Sequence, residues 1–289
     1  VGNTAAQQMQ YGSGMDPWYQ MIRRNDSDAA FRDRGNWSYI QEKPERFNYN
    51  VSLTYVTGSH NMKVGVMNSW GIHHRSHSNN GDMWQQNYRD AVPYEARVSN
   101  LPIWRPMNYT KDMGIYAQDT WTIDRLTLNL GVRWETMLGE NLPAHRQQNR
   151  FVPSAQYLGL DNLPNWSDIA PRLGMAYDVF GDGRTAIKGT FHQYVSSEST
   201  RIAMKRNPLS SFTWAANSDF RLWNDIDGNR SVIAPDGRIQ YEEVGASGNE
   251  NFGGDADTTR LIDLSREGHW EYAANIQHCL LYTSDAADD

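Results

Sequence analysis

Leu126, Leu128, Leu130, Val132 and Trp134 alternate without a break with Thr127, Asn129, Gly131, Arg133 and Glu135. In an extended chain successive side chains point to opposite faces, so this segment carries an apolar ladder on one face and a polar ladder on the other. The alternation recurs. Phe47, Tyr49, Val51, Leu53 and Tyr55 alternate with Asn48, Asn50, Ser52 and Thr54; after a turn over residues 57–61, Met62, Val64, Val66 and Trp70 return against Lys63, Gly65, Ser69 and Gly71. Residues 114–123 pair with 126–134 around Asp124, and 169–179 pair with 185–195 around Gly181-Asp182-Gly183, which predicts two further hairpins. A last strand carries Trp270, Tyr272, Ala274 and Ile276. The segments have roughly the 9 to 11 residues that a tilted strand needs to cross a bilayer.

The turns inside these hairpins are short, whereas residues 139–167 and 196–267 form long polar connections. Short turns on one side and long loops on the other are the asymmetry of an outer-membrane barrel. If the turns at Gly58, Asp124 and Asp182 share one side, residues 72–113 must begin and end on the other. Residues 83–100 then cannot cross once, and with a break at Asp90-Ala91-Val92-Pro93 they read as a small extracellular hairpin. Residues 1–45, broken by Gly12, Gly14, Pro17, Gly35 and Pro44, read as loop with a short helix at most.

Composition narrows the class. The chain has 289 residues, a net charge of −7 and a mean hydropathy of −0.73, and no apolar run approaches the about 18 residues of a membrane helix. A barrel escapes that test, because polar lumen residues and wet loops dilute its lipid-facing ones. The 15 Tyr and 11 Trp suit membrane interfaces or ligand clefts. Nothing at residues 1–11 reads as a signal peptide, so the native start is expected upstream. Residues 279–289 resemble the translation of a sequencing-library adapter. Setting them aside moves the charge from −7 to −4, since they carry three Asp and no Lys or Arg, and removes the only Cys. The weakly acidic balance without a basic block argues against a nucleic-acid partner.

Two linked motifs point to a family. Tyr116-Ala117-Gln118-Asp119-Thr120-Trp121 precedes the alternating run from Arg125 to Glu135, and Asp168-Ile169-Ala170-Pro171-Arg172-Leu173-Gly174-Met175-Ala176-Tyr177-Asp178 precedes Gly181-Asp182-Gly183-Arg184-Thr185. Over residues 46–278 the chain resembles the barrel of a TonB-dependent outer-membrane receptor, most of all the Oar-like type with a carboxypeptidase-regulatory-like domain. The resemblance implies a barrel of about 22 strands, a plug inside it, and import of a scarce extracellular ligand with energy supplied through TonB. Plug, TonB-contacting box and a final strand ending in an aromatic are not in this stretch. The expected fold is all-β: a partial antiparallel transmembrane β-barrel of about seven strands with long extracellular loops. Outer-membrane lipid, the TonB complex and an unknown ligand are the expected partners.

Candidate chemistry is sparse. His73, His74 and His77 with Asp82 have no defined ligand spacing, and adjacent histidines on a strand would face opposite ways, so a polar loop tip is the simpler reading. Asp225-Ile226-Asp227-Gly228-Asn229 has the alternating oxygens of a calcium loop, but Asp236 stands where the bidentate Glu belongs, which favours turn chemistry. The run from Gly181 to Gly189 lacks the Gly-Lys-Ser/Thr order of a phosphate loop and reads as a β-turn. Trp70, Trp121 and Trp134 fall on apolar faces and read as interface anchors; Trp270, with Trp104, Trp214 and Trp223, is left open between anchoring and ligand stacking. Arg133, Glu135, Arg172, Asp178 and Lys188 fall on the lumen side, where paired charges hold a wall. No catalytic, cofactor or metal site is expected, and no enzyme. Two competing readings remain: a passive porin or adhesin barrel, and a soluble secreted β-sandwich that binds glycans.

Overall fold

The computed structural model describes residues 21–33, 38–198, 200–207, 209, 214–254 and 264–280. Its main feature is an antiparallel wall of seven strands, in spatial order β3 (Tyr39–Thr57), β4 (His60–Ser78), β8 (Met107–Ile123), β9 (Leu126–Asn141), β12 (Asn165–Asp178), β13 (Thr185–Val195) and β15 (Gly268–His278). These are the seven alternating segments of the sequence. Among the described residues the sheet is open, with β3 and β15 as its unpaired edges.

Register shows which residues share a face. One row runs Leu53, Val64, Ala117, Val132, Pro171 across five strands, and the next toward the short turns runs Tyr55, Met62, Asp119, Leu130, Leu173, Phe191, Tyr272. Val132 is 48% exposed, Leu173 41% and Phe191 43%, so the apolar face is not sealed against a second layer. Among the described residues no second sheet covers these ladders, as the core of a soluble sandwich would require. From Leu126 to Trp134 the face spans about 20 Å for strands tilted about 40°. Trp70 at the upper margin stacks on Phe47, with centroids 5.8 Å apart, and Trp134 donates its indole N–H to Ser167 Oγ at 2.9 Å. Both present a ring outward with a polar handle or neighbour, as interfacial aromatics do.

The three tight turns lie on one rim, where Thr122 N–H donates to Ser59 O and Asp178 N–H to Arg125 O. Asp124 takes φ +49°, and Gly181 and Gly183 take φ +76° and +73°, with Asp178 Oδ1 and Oδ2 accepting their N–H groups. The run from Gly181 is thus a capped β-turn.

On the opposite rim the strands continue beyond the apolar belt. The loop expected over residues 1–45 is corrected by β1 (Arg24–Asp26), β2 (Phe31–Asp33) and the start of β3 at Tyr39. Residues 39–46 lack alternation yet stay extended because their backbone pairs with residues 71–78. Pro44, which has no N–H to give, is tolerated because β3 is an edge strand. The short helix allowed for in this region is not found among the described residues, and residues 1–20 and 34–37 lie outside them. The 139–167 connection likewise shrinks, since β9 runs to Asn141 and β12 starts at Asn165; between them β10 (Ala144–Arg146) and β11 (Ala155–Tyr157) extend the sheet through β7 (Ile103–Trp104). A bulge in β8 between Tyr109 and Lys111 reverses the alternation above the belt, turning Tyr109 from the outer face to the inner, where it packs with Met137 and Trp166.

The hairpin expected over 83–100 is present as β5 (Met83–Arg89) and β6 (Val92–Ser99), turning at Asp90 and Ala91, both with positive φ. It is the centre of a five-stranded cap sheet in which β14 (Ser218–Leu222) joins β6, while β1 joins β5 in parallel and carries β2. Ile22, Met83, Tyr88, Ala96, Val98, Trp223, Val232 and Ile239 form its core.

Candidate functional site

The polar face of the wall is built on glycines. Large side chains there lie flat over a glycine of the neighbouring strand: the ring of Tyr116 occupies the space a Cβ on Gly65 would need, at 2.5 Å, and the Arg133 guanidinium covers Gly114. Arg133 is ion-paired with Glu135 and lies 6.0 Å from the Tyr116 ring centroid. One level higher, Arg266 from the end of the 196–267 connection reaches Glu135 at 3.3 Å and Asp168 at 3.2 Å, with its side chain only 3% exposed. Its guanidinium also stacks over Trp166, whose indole N–H donates to Leu264 O. The long connection is therefore locked to the inner wall by a buried cation shared between two carboxylates.

The structure separates most residues that sequence grouped. His73 and His77 point to the inner face, whereas His74 points outward and stacks on Trp104, which His145 flanks at 5.1 Å. His77 is 4% exposed, lies edge-on to Trp84, and neither ring nitrogen has a hydrogen-bond partner. Burial, with Arg105 and Arg75 nearby, pushes its pKa down to about 3, so the imidazole is neutral. Burial likewise lowers Arg105 to about 9. Asp82 accepts the N–H of Arg150 at 3.1 Å, away from these histidines' inner-face column.

Asp225 and Asp227 are joined by Glu243, and the three carboxylates can converge within 4.8 Å. Sequence reasoning missed Glu243 because it stands well outside the twelve-residue frame of a calcium loop. Glu243 is 1% exposed and both oxygens are engaged: Oε2 accepts from Trp223 Nε1 at 3.0 Å, and Oε1 from Ile226 N–H at 2.9 Å and Gln240 Nε2 at 3.1 Å. Asp225 accepts the N–H of Arg230, and Asp227 that of Asn229. The cluster is fully employed in folding its loop.

The open tryptophans divide by burial. Trp223 is a core residue, 5% exposed, and Trp270 stacks on Phe191 at 4.9 Å on the apolar face. Trp104 borders an open groove of about 650 Å³ with His145, Gln147, Gln156 and Leu158. The side chain of Trp214 lies outside the described residues. Within the belt the outer face carries one carboxylate among the described residues, Asp119, whose Oδ2 lies 2.6 Å from Nδ1 of His60. Of the lumen charges, Arg133 and Glu135 pair with each other, Asp178 caps its turn, and Lys188 donates to Gln277 Oε1 at 2.7 Å. Arg172 has no carboxylate partner among the described residues and rests over the Tyr194 ring at 5.4 Å.

An apolar face open over its whole width, a polar face bridged by charges, and short turns between wall strands that all lie on one rim are what lipid demands of a spanning sheet. The family described as "Outer membrane beta barrel domain" matches residues 4–233. The chain belongs to that family. No curated protein and no solved structure gives a match. For an outer-membrane barrel the assignment of faces follows: the Leu130–Leu173 side meets lipid, the Arg133–Arg172 side lines the lumen, and the free edges of β3 and β15 require pairing partners, because hydrocarbon leaves no water for their backbone groups.

Proposed function

We propose that this outer-membrane barrel segment is part of the wall of a TonB-dependent receptor of Gram-negative type, which captures a scarce extracellular ligand and imports it with energy delivered through TonB. The observation that carries the reading is the extracellular cap. β1, β2, β5, β6 and β14 form a five-stranded sheet with its own core, and the 196–267 connection, which contributes β14, is locked to the wall through Arg266; this makes a platform rather than loose loops. The two motif-bearing segments, β8–β9 and β12–β13, supply the likeness to that receptor class. In this reading the wall works together with a plug and a TonB-contacting segment. The chain has no chemical step to perform in this reading; it binds, and the plug moves.

The test is uptake. A strain lacking the complete gene is screened for the nutrient it fails to accumulate, and the defect is compared with that of a strain lacking TonB function. Equal loss in both supports the receptor. Import that persists without TonB, and scales linearly with external concentration, would make the barrel a passive porin.

A further inference from the structure

The middle of the lumen wall contains a hollow that the ion pairs described above leave open. One register row on the lumen face reads Lys63, Gln118, Gly131, Arg172, His192 across β4, β8, β9, β12 and β13. Gly131 has no side chain, so the row is indented at its centre. Its neighbours on the same face are Gln118 and Arg172 to either side, and Arg133 and Asn129 two residues along its own strand. All four carry hydrogen-bond donors, although the Arg133 guanidinium is turned over Gly114, giving Nε to Glu135 and Nη2 to Met67. Strand spacing of about 4.8 Å and a two-residue repeat of about 6.7 Å set them around a space suited to one small group.

The resulting cavity, of about 410 Å³, is lined by these residues together with Lys63 and His192. The one carboxylate among its lining residues, Asp119, belongs to the opposite face, where it meets His60. Arg133 is neutralised by Glu135, but Arg172 and Lys63 have no carboxylate partner among the described residues, and Nδ1 of His192 is shut from solvent without a hydrogen bond. Asn129 uses its carbonyl to accept from Thr120 Oγ1 at 2.9 Å, which leaves its amide N–H groups to donate. A ring of donors with surplus positive charge and a floor of bare backbone is complementary to an oxyanion.

We propose that the hollow over Gly131 is a binding site for a carboxylate or phosphate group, gripped by Arg172 and Lys63 and flanked by Gln118 and Asn129. The anion comes either from a solute in the lumen or from an acidic side chain of protein filling the barrel. The site depends on this face being the lumen, and not on import being driven by TonB, so it can stand or fall separately from the receptor reading.

The test uses the intact protein purified in detergent, with radiolabelled inorganic phosphate in equilibrium dialysis and a heat-modifiable electrophoretic shift as the check on folding. A solute site gives saturable binding that weakens at least tenfold in R172Q and in K63Q, disappears in G131M, where the new side chain fills the hollow, and is unchanged in K188Q, which removes a lumen cation two rows away. A protein-borne anion instead blocks phosphate from the unmodified protein, and zero-length carbodiimide coupling then joins Lys63 to that carboxylate, a bond absent from G131M. Phosphate binding that is equal in R172Q, K63Q and the unmodified protein overturns the site. So does the absence of both phosphate binding and a Lys63 crosslink.

Discussion

Arg266 meets Glu135 at 3.3 Å although they are 131 residues apart, and the same guanidinium reaches Asp168 at 3.2 Å. With the arginine side chain 3% exposed, this contact is shielded from the screening that weakens surface pairs. R266M leaves the partly exposed Asp168 without a cation while Glu135 keeps Arg133, a loss expected at about 1 kcal/mol. The expected result is faster amide exchange at residues 196–198 and 264–267, with the strand centres of β9 and β12 unaffected. Unchanged exchange at Ser196, whose carbonyl also accepts from Arg266, would show that the connection is held elsewhere.

His77 makes the cap sensitive to acid. The folded state holds its pKa at about 3 while the unfolded chain returns it to about 6.5, so the unfolded state takes up the proton first as pH falls. The stabilisation from keeping this imidazole neutral is complete above pH ~6.5 and is lost progressively between ~6.5 and ~3, at no more than about 1.4 kcal/mol per pH unit. Urea unfolding of the cap followed through the fluorescence of Trp84 should show that slope in the unmodified protein and a flatter one in H77L. Parallel pH profiles for the two proteins would remove His77 as the cause.

Asp26 ties two turns together. Its Oδ2 accepts the N–H of Ala91 at 2.7 Å and its Oδ1 those of Asp28 and Ala29 at 3.1 Å. These backbone donors, Ala91 first, hold its pKa below the usual carboxylate range. The stability it contributes is therefore present above that range and is lost on further acidification. D26A should destabilise the cap, since three backbone N–H groups lose their acceptor, and accelerate exchange at Ala91. D26N, which keeps an acceptor oxygen, should recover part of the loss while removing its pH dependence.

How much of this was legible follows from where water and lipid lie. The seven crossings stand out in the sequence because hydrocarbon on one side imposes strict alternation, as in Leu126 to Trp134. Above the belt both faces are polar or packed, so residues 39–46 carry no period although their pairing is continuous, and the bulge near Tyr109 reverses the alternation locally. The hairpin at Asp90-Ala91 could be inferred from parity, but β1, β2 and β14, at three to five residues, are too short to show a pattern. The meeting of Glu243 with Asp225, and of Arg266 with Glu135, are long-range events that no local spacing encodes. The hollow at Gly131 was hidden for the same reason: its donors come from β4, β8, β9 and β12, and only register brings them together.

Gly65 gives a test of how the lumen side chains pack. A Cβ there would meet the Tyr116 ring at 2.5 Å, so G65V must push the ring off the wall. Overpacking of this kind costs about 1–3 kcal/mol. The double variant G65V/Y116A should be more stable than G65V alone, measured as the midpoint of unfolding in guanidinium, because truncating the ring restores the space. Additive losses would mean that the two residues do not share it.

Leu173 and Thr190 test which face of the wall meets lipid. Leu173 lies in the row between Leu130 and Phe191 on the apolar side, and Thr190 pairs with Gly174 on the other. An arginine near the bilayer midplane on the lipid side costs about 2–4 kcal/mol, whereas the lumen is wet and accommodates it. L173R should therefore lower the fraction of intact protein that folds into phospholipid vesicles, read as the heat-modifiable form on a gel, while T190R folds as the unmodified protein does. Equal effects of the two substitutions, or a larger loss for T190R, would reverse the faces, and with them the lumen position of Arg172, Lys63 and the hollow between them.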